Sequence, residues 1–156
     1  VYYNTKRKGN RSRYIEEAGT PRYPFGYGLS YTTFSYTGMK VRVSEESNHC
    51  RVDVSVTVRN QGTVEGDEVV QSYLRDEVGS VTSPDRQLRA FRRVRLKAGE
   101  TWEITFTLDK KSLALYMRDG EWAVEPGRFT VMAGGSSEDI ACQQEFEINR
   151  KYTFKM

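Results

Sequence analysis

The sequence predicts an all-β protein, an antiparallel sandwich of seven or eight short strands. Three observations carry this reading. Polar and apolar residues alternate with a period of two from Thr32 onward, turn-forming residues recur along the chain, and the helical crossovers of a parallel sheet are missing. Each strand keeps one polar face, as expected when two sheets bury only their inner surfaces.

Taken in order, residues 1–22 open with a strand-like Val1-Tyr2-Tyr3 and then become basic and aperiodic, which reads as a linker. Tyr23–Tyr31 (YPFGYGLSY) packs four aromatics, a proline and two glycines into nine residues, too irregular for a helix or a plain strand. It reads as a compact aromatic plug at the seam with an upstream domain. A first strand spans Thr32–Ser44 with a bend at Gly38. The clearest signal is Arg51–Asn60, where Val52, Val54, Val56 and Val58 alternate with polar residues, and Asn60-Gln61-Gly62 ends the run.

A third strand, Gly66–Arg75, places Val69, Gln71 and Tyr73 on one face and Val70, Ser72 and Leu74 on the other. A loop spans Asp76–Asp85, followed by an Arg-rich segment containing Leu88, Phe91, Val94 and Leu96. Thr101–Leu108 points Trp102, Ile104, Phe106 and Leu108 inward. Asp109–Tyr116 is the one expected helical turn, capped by Asp109. Asp119-Gly120 and Glu125-Pro126-Gly127 read as turns, and Phe129, Val131 and Ala133 point inward on the strand after them. Gly134–Glu138 reads as a flexible loop. Phe146 and Ile148 mark a last strand, and residues 151–156 a tail. The domain reading is therefore linker 1–22, sandwich 23–150 and tail 151–156.

At 156 residues the chain is long enough for one domain with a real core. Its start at Val1 reads as an excised piece of a longer protein. No apolar run approaches the ~18 residues of a membrane span. The net charge of +3 is uneven: residues 1–22 carry six Lys/Arg against Glu16 and Glu17, while the rest holds 18 basic and 19 acidic residues. A nucleic-acid reading would thus rest on the leader alone, and no nucleic-acid partner is expected. Cys50 and Cys142 open antiparallel strands whose starts lie at opposite ends. A seven-residue strand spans roughly 23 Å and bridged Cα atoms sit about 5.5 Å apart, so two free thiols are expected. His49 is the only histidine, which leaves no ligand set for a metal, and no cofactor is expected.

Several motifs resemble one family. Pro24-Phe25-Gly26-Tyr27-Gly28-Leu29-Ser30-Tyr31-Thr32-Thr33-Phe34, Gly66-Asp67-Glu68-Val69-Val70-Gln71, Phe91-Arg92-Arg93-Val94 and Glu125-Pro126-Gly127 resemble the C-terminal fibronectin type III-like domain of family 3 glycoside hydrolases. Ser72, Ala90 and Ala98 depart from its usual pattern. The resemblance implies an immunoglobulin-like (fibronectin type III-like) sandwich and a β-glucosidase or β-xylosidase parent, periplasmic or secreted. It also implies that residues 1–22 include the end of a preceding α/β domain. The partners it implies are the catalytic barrel and α/β domains of that parent, contacted by the plug rings Tyr23, Phe25, Tyr27 and Tyr31 and by the Arg-rich segment.

No catalytic residue is expected in this chain. Retaining glycoside hydrolysis needs two carboxylates facing each other about 5–5.5 Å apart. The acidic pairs here are sequence neighbours in loops and at strand ends, and read as solvated surface. A Ser-His-Asp triad would have to use His49, in a polar loop, and the glycines of Gly134-Gly135 lack the lysine of a phosphate loop. Two classes remain: a structural module packing on catalytic domains, and a module that binds carbohydrate or a surface polymer through exposed rings, with Tyr14, Tyr23, Tyr27 and Tyr152 as platform candidates. The aromatic segment also offers a surface for self-association.

Overall fold

The computed structural model describes residues 22–81 and 85–155. The expected linker, except for Arg22, lies outside them. Ten strands occur among the described residues: β1 (Phe34–Glu46), β2 (His49–Asn60), β3 (Gly66–Asp76), β4 (Gln87–Leu96), β5 (Thr101–Asp109), β6 (Leu115–Tyr116), β7 (Trp122–Val124), β8 (Gly127–Gly134), β9 (Ile140–Ile148) and β10 (Tyr152–Phe154). One helical turn, α1 (Lys110–Leu113), follows β5, and Asp109 caps it through the Ser112 amide.

Seven strands make the expected sandwich. The order β1-β2-β5 forms one sheet and β4-β3-β8-β9 the other, all pairs antiparallel. The alternating valines of β2 are fully buried and meet Ile104, Phe106 and Leu108 of β5 in register. Val70, Leu74, Val94, Leu96, Phe129, Val131, Ala133, Phe146 and Ile148 supply the opposing layer. Burying each such side chain contributes about 1.5–3 kcal/mol. The bend foreseen in β1 is real: the register shifts between Thr37 and Lys40, where Gly38 takes a φ of 63°.

The core divides into two clusters along the sandwich. Cys50, Val52, Leu108, Leu113, Phe129 and Ile148 belong to one; Val56, Val58, Val70, Val94 and Leu96 belong to the other, against which Cys142 packs. The cysteines thus stand at opposite ends, and both are free thiols. Burial and the Glu45 charge push the Cys50 thiol up to about 11, and burial raises Cys142 as well, so neither presents a reactive thiolate.

Three expectations need correction. Trp102 is not a core residue: it is 43% exposed, and its indole donates to Glu100 Oε1. It lies at the start of β5, where Thr101 and Glu103 beside it are exposed as well. Gly134–Glu138 is not a loose loop but a built turn with Ser136 and Ser137 buried. Residues 151–156 are not merely a tail, because β10 pairs with β7 in a three-stranded ribbon of order β10-β7-β6. The ribbon closes over the first core cluster through Tyr152.

Glu45 ties that ribbon down. Its carboxylate accepts from the Asn149 amide and side chain, the Arg150 amide and the Tyr152 hydroxyl, at 2.9 to 3.2 Å. Burial alone would raise its pKa. The Asn149, Tyr152 and Arg150 hydrogen bonds outweigh burial and hold it below the usual carboxylate range. A depressed folded-state pKa gives stability that is present above the unfolded value and is lost as pH falls through the folded one. Amide exchange at Tyr152–Phe154 is therefore expected to accelerate selectively below about pH 4. Glu45→Gln should bring that fast exchange to neutral pH; equal protection in both proteins at every pH would refute the clasp.

Candidate docking surface

The plug of residues 23–31 lies across the β3–β4 sheet and the β8–β9 turn. Its backbone is fastened and its rings face outward. Pro24 to Tyr27 forms a turn closed by the Tyr27 amide on Pro24 O at 3.0 Å, with Gly26 at φ 79°, the left-handed residue that a type II turn needs third. A Cβ at Gly26 would overlap the side-chain amide oxygen of Gln71.

Gln71 is the anchor. It is only 4% exposed in the middle of β3. Its Nε2 donates to Gly26 O at 3.0 Å and to Gly135 O at 2.7 Å, and its Oε1 accepts from the Tyr73 hydroxyl at 2.5 Å. Both donors and the acceptor of the amide are thus used inside the protein. The β8–β9 turn adds a second fastening, the Ser137 amide donating to Phe25 O at 2.9 Å. That turn is itself held by the Asp139 amide on Ser136 Oγ and by Arg86 Nη1 on Ser137 O.

Further along, the buried Asn60 side chain donates to Val64 O and Leu96 O and accepts from Thr32 Oγ1 at 2.6 Å. This fixes the end of the plug where it turns into β1.

The outward residues form an apolar patch. Tyr23 is 64% exposed, Phe25 41%, Tyr27 47%, Leu29 88% and Tyr31 100%; Val69 and Phe91 of the sheet below are exposed too. Between plug, sheet and turn lies a groove of about 680 Å³, lined among others by Phe25, Tyr27, Leu88, Phe91, Glu68 and Asp139. Burial raises the Glu68 pKa, and the Asp139 charge adds to it, against the pull of the Tyr36 hydroxyl and the Val69 amide.

Of the four ring residues singled out from the sequence, Phe25 and Tyr27 line the groove, Tyr23 packs on Tyr27, and Tyr31 stands fully exposed. Two of the platform candidates lie elsewhere. Tyr152 is 3% exposed in the core, with its hydroxyl on Glu45, so its ring face is unavailable to a sugar; Tyr14 lies outside the described residues. The exposed pair Tyr23 and Tyr27, and exposed Tyr116 with half-buried Trp122, are tilted by 43° and 59° and give no coplanar platform. Sequence reasoning gave Gln71 no role, read Glu68 as solvated surface although it is half-buried, and placed Phe91 only within the Arg-rich contact segment. Gln71 left one signal, a glutamine between Val69 and Tyr73 on one face of the strand.

A three-on-four antiparallel sandwich with this plug defines the fibronectin type III-like class, and the model of that family, "Fibronectin type III-like domain", matches residues 68–137. The chain is 40% identical over 139 residues to the thermostable β-glucosidase B of Acetivibrio thermocellus, covering 88% of this chain and 18% of that protein. It is 38% identical to the periplasmic β-glucosidase of Salmonella typhimurium, covering 95% and 20%. Among solved structures, the GH3 β-glucosidase of Bifidobacterium adolescentis superposes with a TM-score of 0.76 at 41% identity, over 81% of this chain and 18% of that one. The chain belongs to the fibronectin type III-like domains of family 3 glycoside hydrolases. It spans about a fifth of the length of the relatives it matches.

Gln71→Leu is expected to release the plug, because two carbonyls lose their donor inside the protein, at a cost of about 2–3 kcal/mol. Gly26→Ala should act in the same direction through the turn. Hydrogen exchange over residues 24–28 reads this out. Unchanged protection in Gln71→Leu would mean that the amide is not the anchor.

Proposed function

We propose that the chain is the structural accessory module of a family 3 glycoside hydrolase that cleaves O-glycosidic bonds, and that it docks on that enzyme's barrel and α/β domains through the plug. One observation carries this. The plug backbone is pinned by buried polar contacts while Tyr23, Phe25, Tyr27, Leu29 and Tyr31 hold their side chains in water. Fixing a backbone in order to present apolar rings to solvent costs free energy unless another surface covers them. Residues 1–22 then serve as the connection from the preceding α/β domain, and residues 23–154 as the module. The Salmonella relative is named periplasmic, which supports a periplasmic or secreted parent.

Two variants of the enzyme that carries the module test the reading. Phe25→Ser with Tyr27→Ser should speed protease cleavage between module and remainder and lower the temperature of half-inactivation, with the module's own unfolding unchanged. If the double variant stays docked and as heat-stable as its parent, the plug is not the docking element. In the isolated chain the same patch favours self-association, so sedimentation should show concentration-dependent mass that the double variant loses.

The competing reading is a carbohydrate-binding module. Calorimetry of the isolated chain with cello- and xylo-oligosaccharides is expected to give no saturable heat; a saturable isotherm without hydrolysis would favour that alternative.

A further inference from the structure

Three of the four acids lining the groove lack cations among the described residues. Asp67 is paired with Arg93, but Glu68, Glu138 and Asp139 form no ion pair among the described residues. Glu68 and Asp139 converge on Gly135: a Cβ built there would lie 3.6 Å from Glu68 Oε2 and 3.6 Å from Asp139 Oδ2. Glu68 is half-buried, at a point where β8 has ended and no longer flanks β3. Two like charges at the edge of an apolar patch tolerate water. A dry neighbour without a counter-charge would leave them desolvated and unpaired, at a cost of several kcal/mol.

The rings around them suit a cation. Phe25, Tyr27 and Phe91 line the same groove. The Arg22 guanidinium already lies 5.7 Å from the ring centre of Tyr23, which packs against Tyr27 at 5.3 Å. The relatives carry some four-fifths of their length outside the part matched by this chain, so a protein surface of the same polypeptide is at hand to cover the groove. We propose that this surface presents an arginine or lysine side chain to Glu68 and Asp139, inside an apolar contact with Phe25, Tyr27, Leu29 and Phe91. The inference rests on the docking reading and adds the chemistry of the partner.

The test compares one substitution pair in two settings. Glu68→Gln with Asp139→Asn keeps the shape, and the new amide oxygen at position 68 can still accept from the Val69 amide. In the isolated chain, removing two unpaired like charges should leave the melting temperature unchanged or raise it. In the intact enzyme the same pair should increase cleavage between module and remainder about threefold or more, the size of one partly desolvated ion pair. It should also flatten the dependence of that cleavage on salt. An intact enzyme that ignores the substitutions overturns the cation, as does equal destabilisation in both settings, which would make the acids part of the module's own stability. The Phe25→Ser/Tyr27→Ser variant is run alongside. If it undocks and the acid pair does not, the cation alone falls; if neither undocks, the docking reading falls with it.

Discussion

A single buried carboxamide organises the working face of this protein. Gln71 sits at the one place where β3, the plug and the β8–β9 turn meet, and its two N–H groups reach a carbonyl of each. A buried amide that failed to find those partners would cost more than an apolar residue in its place. The position therefore accepts a glutamine only if Gly26 and Gly135 come to it. That demand explains the left-handed glycine of the plug, where any side chain would occupy the space of the Gln71 oxygen. It also bears on why the β8–β9 turn, rich in glycine and serine, is ordered: its Gly135 carbonyl accepts from Gln71, its Ser137 amide donates to the plug and its Ser137 carbonyl accepts from Arg86.

The sandwich was legible because its signals are local. Val52 to Val58 names a strand buried on one face whatever surrounds it, and Asp109 announces the helical turn by the chemistry of its own side chain. What escaped the sequence depends on distant partners. Gly134–Glu138 has the composition of a flexible loop, and contacts with Phe25, Gln71 and Arg86 hold it in place. Trp102 follows the period of its strand but falls among its exposed first three residues, where its indole bonds Glu100. Tyr152 is separated from Glu45 in sequence by the whole sandwich, so its burial cannot be read from the polar residues beside it. For the candidate site the division is similar. The four plug rings were visible as composition, whereas the groove acids acquire meaning only when the turn after β8 brings Asp139 towards Glu68.

The two ends of the sandwich carry different duties. The half around Leu108, Phe129 and Tyr152 is covered by the β6–β7–β10 ribbon and buries Phe129, Phe146 and Tyr152, with Tyr116 of the ribbon left exposed; Phe129 and Phe146 stack there at 12° between planes. The half around Val56, Val70 and Val94 supports the plug and shows aromatics to the outside. The second arrangement is the observation on which the proposed docking role rests.

The Arg-rich strand β4 closes one side of the four-stranded sheet, and on its far side no further strand is paired among the described residues. Its backbone there is a template on which a foreign strand could grow. Arg93 and Arg95, held upright by Asp67 and Glu65 of the neighbouring segment, set bulky, solvated charges along that margin. They act as gatekeepers against edge-to-edge growth. A module that exposes rings by design can thus stay clear of fibrillar stacking while it waits for its proper cover.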